Sequence, residues 1–216
     1  MRLMKEFRLS CGIKLPRLCR HYGMKVQSMN RSKQTLRLTL TALLMSMNIV
    51  FSFSALTIPT PVGNIYFCNA VINVAAVLVD PLAAFVVGGV GSFIGDLLTY
   101  PAAMFVSLVA HGAQALLVSL LSRRLTQMKL PLRCLTAMAV GSAAELAGYT
   151  LGRALIYGQK TWHYAVAVKL PIELLQVGIG IALAMLLLFP LGILDSFHRE
   201  IGEPFGVHGA KRSGKR

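Results

Sequence analysis

From Leu38 onward the chain is a series of long apolar runs broken by short clusters of proline, glycine and polar residues. A membrane-spanning helix needs about 20 mostly apolar residues to cross about 30 Å of hydrocarbon. Between Leu38 and Ser122 the charged side chains are Asp80 and Asp96 alone, so several crossings fit in that stretch. Set against the breakers, the runs predict six helices at about 36–56, 64–79, 82–98, 102–122, 134–157 and 164–190. The links are Thr57 to Gly63, which holds Pro59 and Pro61, then Asp80-Pro81, Thr99 to Pro101, a basic loop around Arg123 to Arg133, and Gly158 to His163. The expected fold is therefore all-α: an integral membrane bundle of about six transmembrane helices over 36–190. A basic, disordered tail is expected over 1–35 and a second basic tail over 191–216, with no room for a second domain.

Composition agrees, since 55% of residues are hydrophobic and 14% charged, against roughly a quarter charged in soluble domains. The net charge of +14 would suggest nucleic acid if it lined one face. Instead the basic residues gather before Leu38, at Arg123, Arg124, Lys129 and Arg133, and after Phe197. That is the footprint of positive-inside topology, with both termini cytoplasmic and a lipid bilayer, not nucleic acid, as the partner. An even number of helices puts all three clusters on one side. The leading basic region is too long for a secretory signal and does not read as a transit peptide; Met24 and Met29 are alternative starts. Cys11, Cys19, Cys68 and Cys134 show neither CxxC nor histidine partners at metal spacing, so they are expected to be unpaired.

Ionisable groups at mid-membrane cost roughly 2.5–3.5 kcal/mol on insertion scales, which makes each one a functional candidate. Tyr66, Asn69 and Asn73 fall at i, i+3 and i+7 on the predicted second helix, with Asn64 just ahead of them. Glu145, Tyr149 and Gly152 share a face of the fifth, with Arg153 beside it, and Lys169, Glu173 and Gln176 keep helical register on the sixth. Asp96 lies near the end of the third helix, His111 and Gln114 lie deeper on the fourth, and Trp162 sits in an outer loop. At 1.5 Å rise per residue most of these groups fall in the outer half of the membrane. They outline a pocket open to the outside and floored near the midplane. Quieter readings stand beside this one. The charged residues of the fifth and sixth helices could simply pair, Asp96 could cap a helix end, His111 could be a hydrogen-bonded core histidine, and Tyr66, Tyr149 and Trp162 could be interfacial belt residues. Small residues at four-residue spacing (Gly91 and Gly95; Ala144, Gly148 and Gly152; Gly180 and Ala184) suit close helix packing within this chain. No HExxH, GxSxG or kinase set occurs, and Gly209 to Lys215 lacks the Ser or Thr and the strand and helix of a phosphate loop. Neither a metal nor a cofactor is expected.

The order of these segments resembles a known family, the substrate-binding S components of energy-coupling factor (ECF) transporters, in the riboflavin-transporter-like branch that includes hydroxymethylpyrimidine carriers. The resemblance covers about 38–190. It rests on Pro59-Thr-Pro61 leading into Asn64 to Asn69, Asp80-Pro81, Gly88 to Leu98 with its glycines and Asp96, Tyr100-Pro101, Gly148-Tyr149, and Pro171 to Gln176 with Gly178. Departures occur where the family often has Gly-Asp and Lys-Gly-x-Glu; this chain has Cys68-Asn69 and His111-Gly-Ala-Gln114. The resemblance implies a subunit that binds a water-soluble vitamin outside, while a scaffold membrane protein and ATPase subunits drive its release inside. It implies that Ala42 and Ser46 on the first helix form a stripe docking to the scaffold, and that Thr57 to Gly63 is a lid. A stand-alone secondary carrier or assembly factor, and an intramembrane enzyme acting through Asp96, His111 and Glu145, are the alternatives. A mixed acid, base and aromatic pocket suits a small heteroaromatic ring with polar substituents, pyrimidine-type precursors first and flavins second.

Overall fold

The computed structural model describes residues 31–53, 58–60, 63–99, 101–157, 167 and 170–201. The chain divides into two compact units, Met1–Leu36 and Arg37–Arg216. Of the first, the opening turns of one helix are described; the architecture below is that of the second.

Helix α1 runs Arg31–Phe53, and a hairpin of two three-residue strands, β1 (Ile58–Thr60) and β2 (Gly63–Ile65), follows it. The strands pair antiparallel with Pro59 opposite Asn64. Next come α2 (Cys68–Leu78), α3 (Pro81–Thr99), a 3-10 turn at Pro101–Ala103, α4 (Met104–Arg124), α5 (Leu130–Tyr157), α6 (Leu170–Leu188) and α7 (Ile193–Ile201). The fold is an all-α bundle. Among the described residues four helical stretches are long and apolar enough to cross a membrane: Thr35–Ser52 in α1, α3, Pro101–Arg124 and α6. Helix α5 has 28 residues, about 42 Å at 1.5 Å each, but small residues, Glu145 and two arginines dilute its apolar character.

All 11 residues of α2 are buried, and the helix, about 16 Å long, forms the central post of the bundle. Its lower half, Ala75 to Leu78, and Val79 after it join Val118, Ala137, Met138, Ala184 and Leu188 in one continuous apolar core. Such a core excludes water by close packing. Helix α1 buries a single narrow stripe, Leu44, Asn48 and Ser52, at i, i+4 and i+8. Here the glycine stripes do what small residues in membrane helices allow. A Cβ on Gly91 would lie 2.7 Å from Asn48 Nδ2, one on Gly95 2.7 Å from Ser52 Cβ, and one on Gly180 2.7 Å from Asn69 Cβ.

Three departures from the expected elements have local causes. The predicted second helix begins later, at Cys68 rather than about 64, because the chain from Ile58 to Ile65 spends its backbone bonds in the hairpin and Tyr66 N–H donates to Gln176 Oε1 at 3.1 Å. Helix α3 contains a π-helical segment, Val86–Val90, at the Gly88-Gly89 pair. A widened turn of this kind disturbs the backbone ladder, and Asn48 Nδ2 from α1 donates to Val87 O at 2.8 Å and to Ser92 Oγ at 3.2 Å. Helix α5 starts at Leu130 instead of 134, with Pro131 in its first turn, where a missing N–H costs nothing. Arg133, expected in a basic loop, is thereby carried into the helix and buried, 3% exposed.

Beyond α6 the chain turns at Gly192, whose φ of 67° is a left-handed conformation open to glycine. It then forms α7, which seats Leu194 and Phe197 in the apolar core. At the same end of the bundle Arg123 fastens the α2–α3 turn: its guanidinium donates to Val79 O, and its Nε to Ser119 O at 3.0 Å.

Candidate functional site

Polar side chains from α2, α3, α4 and α5 meet inside the bundle in two layers. The lower layer is centred on Glu145, 3% exposed, whose Oε1 accepts from Asn69 Nδ2 at 3.0 Å and faces His111 Nδ1 at 3.5 Å. His111 Nδ1 also lies 3.1 Å from Gln114 Oε1, and Gln114 Nε2 donates to Ser142 Oγ at 3.4 Å. His111 Nδ1 thus lies between Glu145 Oε1 and Gln114 Oε1, and a proton carried there would serve both oxygens.

One helical turn along α5, the upper layer joins three helices through Ser107. Its hydroxyl donates to Asp96 Oδ2 and lies 2.6 Å from Tyr149 OH. The Tyr149 ring meets the His111 ring edge-on at 5.3 Å, which connects the two layers. Along α5 the polar column from Ser142 through Glu145 to Tyr149 covers about 10 Å.

Four buried atoms of this cluster make no hydrogen bond among the described residues: Asn69 Oδ1, Asn73 Nδ2, Asn73 Oδ1 and Glu145 Oε2. Asn69 and Asn73 are fully buried, one turn apart on α2. Each unmade buried hydrogen bond costs about 1–3 kcal/mol, so these atoms are held ready by the packing around them and not by partners of their own. Three are acceptors and one is a donor, which leaves the cluster short of donors.

The sequence-derived candidates fall into three groups. Asn69, Asn73, Asp96, His111, Glu145 and Tyr149 are brought into or beside this cluster. Glu173 lies in the first turn of α6 and is partly buried. Tyr66 and Asn64 correct the expected register: Asn64 sits in β2 and Tyr66 in the link to α2, so neither shares a helix face with Asn69. Arg153 lies on α5, while Trp162 and Lys169 lie outside the described residues. Ala42 and Ser46 are exposed on the side of α1 turned away from Leu44 and Asn48, with Ser46 Oγ donating to Ala42 O at 2.8 Å. The buried Glu145 is held by Asn69 and faced by His111, and His111 is hydrogen-bonded as a core histidine. No group of three metal-ligating side chains forms among the described residues.

Ser107 and Ser142 also join the cluster, and the sequence does not single them out. A signal was present, because Ser107, His111 and Gln114 repeat at i, i+4 and i+7 on α4, one polar stripe down an apolar helix. A lone serine in such a helix more often bonds its own backbone, as Thr99 does to Gly95 O, and this hides it.

Comparison with known proteins adds the family. A protein of Pyrococcus woesei, described as an uncharacterized protein in gap 3' region, is 31% identical over 101 residues, covering 47% of this chain and 66% of that protein. The match thus spans just under two thirds of that relative's length. Residues 32–192, from the start of α1 to the turn at Gly192, match the family of ECF-type riboflavin transporter S components. With four membrane-crossing stretches around a buried polar cluster, the chain is a membrane protein and belongs to the ECF S-component family.

Proposed function

We propose that this chain is the substrate-capture subunit of an ECF-type importer, a non-enzymatic protein that takes up a water-soluble vitamin or precursor in the Asn69–His111–Glu145 cluster. The observation that carries this reading is the set of four unsatisfied polar atoms on Asn69, Asn73 and Glu145, in a bundle that satisfies most of its other buried polar groups. A ligand supplying the missing partners converts their cost into affinity. The bound molecule faces three acceptors and one donor, so rings bearing amino groups fit better than rings bearing carbonyls. Pyrimidine-type precursors therefore lead. Flavins follow, because their polar edge offers one N–H between two carbonyls, and the carbonyls would face Glu145 Oε2 or Asn69 Oδ1.

Positive-inside counting supports an outward-facing cluster, with Arg123, Arg124, Lys129 and Arg133 at the cytoplasmic end. Family membership supports a scaffold membrane subunit and ATPases as partners. The exposed Ala42 and Ser46 surface of α1 is the docking face in this reading, and the Thr57 to Gly63 segment is the lid. Trp162 is the single tryptophan of the chain. Titrating the purified protein with a panel of vitamins and precursors while following its fluorescence tests the capture role. Saturable quenching at submicromolar concentration by one compound is expected; silence across the panel from folded protein, with uptake in liposomes that contain no ATPase, would favour a self-sufficient carrier instead.

A further inference from the structure

Arg133 is used by nothing described so far. It is 3% exposed, its Nε makes no hydrogen bond, and no carboxylate pairs with it among the described residues. Leu130, Cys134 and Ala137, its neighbours along α5, all belong to the apolar core or pack against it. A guanidinium buried without a counter-charge is costly, and proteins place one where an anion will meet it. The position supplies a second attraction: Arg133 lies in the first turn of a 28-residue helix, whose N-terminus carries about half a positive charge. Lys129 and Arg124 stand exposed on the same side.

We infer that the N-terminal turn of α5 is a phosphate-binding site, in which the Arg133 fork grips the headgroup phosphate of an anionic lipid. Depth argues for a lipid. A helix of about 42 Å matches the roughly 40–45 Å from headgroup to headgroup, so its first turn falls at the level of the phosphates. On the adjoining face of that turn Leu132 and Leu135 are 48% and 41% exposed, a surface suited to acyl chains. Glu145 lies 12 residues further along, about 18 Å away, so this site is separate from the ligand cluster. Arginine suits the task because its planar fork can hold two phosphate oxygens at once.

The test uses the full-length chain in detergent micelles doped with phosphatidylglycerol or phosphatidylcholine, reading retained lipid by native mass spectrometry and stability by thermal melting. Wild type is expected to retain one phosphatidylglycerol and to melt higher in it than in phosphatidylcholine. Arg133→Gln is expected to bind that lipid at least tenfold more weakly and to lose the melting increment. In phosphatidylcholine the same variant should melt above wild type, since it no longer buries an unpaired charge; a merely structural arginine would give the opposite sign. Arg133→Lys, which keeps the charge if the glutamine variant misfolds, should lose most of the preference for phosphatidylglycerol. Inorganic phosphate added in phosphatidylcholine distinguishes the source. If it reproduces the increment in wild type alone, the site stands and a soluble phosphate fills it. Equal lipid retention by wild type and Arg133→Gln, or equal loss from Arg124→Gln, would overturn the proposal in favour of diffuse attraction. A wild type indifferent to both anions but stabilised by purified coupling subunits would overturn it in favour of a partner's carboxylate.

Discussion

Replacing Glu145 by glutamine separates ligand binding from architecture more cleanly than any other change in the cluster. The side chain keeps its size, and its carbonyl can still accept from Asn69 Nδ2, the 3.0 Å bond that ties α5 to α2. What disappears is the charge and one acceptor, because the amide nitrogen takes the place of Oε2, an atom with no partner in the protein. A hydrogen bond to a charged group contributes about 1.5–3 kcal/mol, so loss of this one predicts roughly 10- to 150-fold weaker ligand binding. The folded protein without ligand should be no less stable, and somewhat more so, since a buried carboxylate with an idle oxygen is exchanged for a neutral amide. Trp162 fluorescence titration reads the affinity, and a melting curve on the same sample reads the stability. Unchanged affinity in a folded variant would remove Glu145 from the site. A loss of affinity matched by an equal loss of stability would show that the carboxylate is a strut between α5 and α2.

Ser107→Ala should leave Asp96 and Tyr149 without their common bridge and weaken ligand binding by about 1 kcal/mol, a typical net hydrogen-bond contribution, in the same titration. Gly141→Ala drives a methyl group into Val118 Cγ2 and to 3.0 Å from Gln114 O, so overpacking should cost about 1–3 kcal/mol, read as a lower melting temperature. Asn48→Leu strands Val87 O in the π-helical segment and should destabilise by a similar 1–3 kcal/mol, and a variant melting like wild type would show that the carbonyl finds another donor. Ala42→Leu fills the exposed stripe of α1 and should abolish uptake in the assembled transporter while ligand affinity stays intact; normal uptake would reassign the docking face.

Most of the bundle is legible from apolar runs and their breakers because a bilayer imposes long, uniform helices. The central polar residues are legible for a related reason: Glu145 and His111 are conspicuous against so apolar a background. What the sequence hides depends on tertiary contacts. Nothing local distinguishes Ser107 or Ser142 from serines that bond their own helix. The hairpin at Ile58–Ile65 is hidden by strands of three residues, too short for an alternating pattern, and the π-helical turn is hinted at only by Gly88-Gly89. Arg133 misleads for the opposite reason, since a basic residue close after a proline looks like a loop, whereas Pro131 opens the helix there.

Beneath Asn73 the short α2 rests on a solid apolar floor in which Ala75, Ala76, Val118, Ala137, Met138 and Leu188 are at most 1% exposed. A cysteine placed at Ala137 should therefore resist water-soluble maleimides applied from either side of the membrane; rapid labelling would reveal an aqueous passage. Among the described residues, that floor closes the cluster on the side of Val118 and Leu188. In the proposed function, a ligand held at Glu145 would leave by the side from which it came unless the subunit itself is moved, so delivery to the other compartment falls to its partners in that reading.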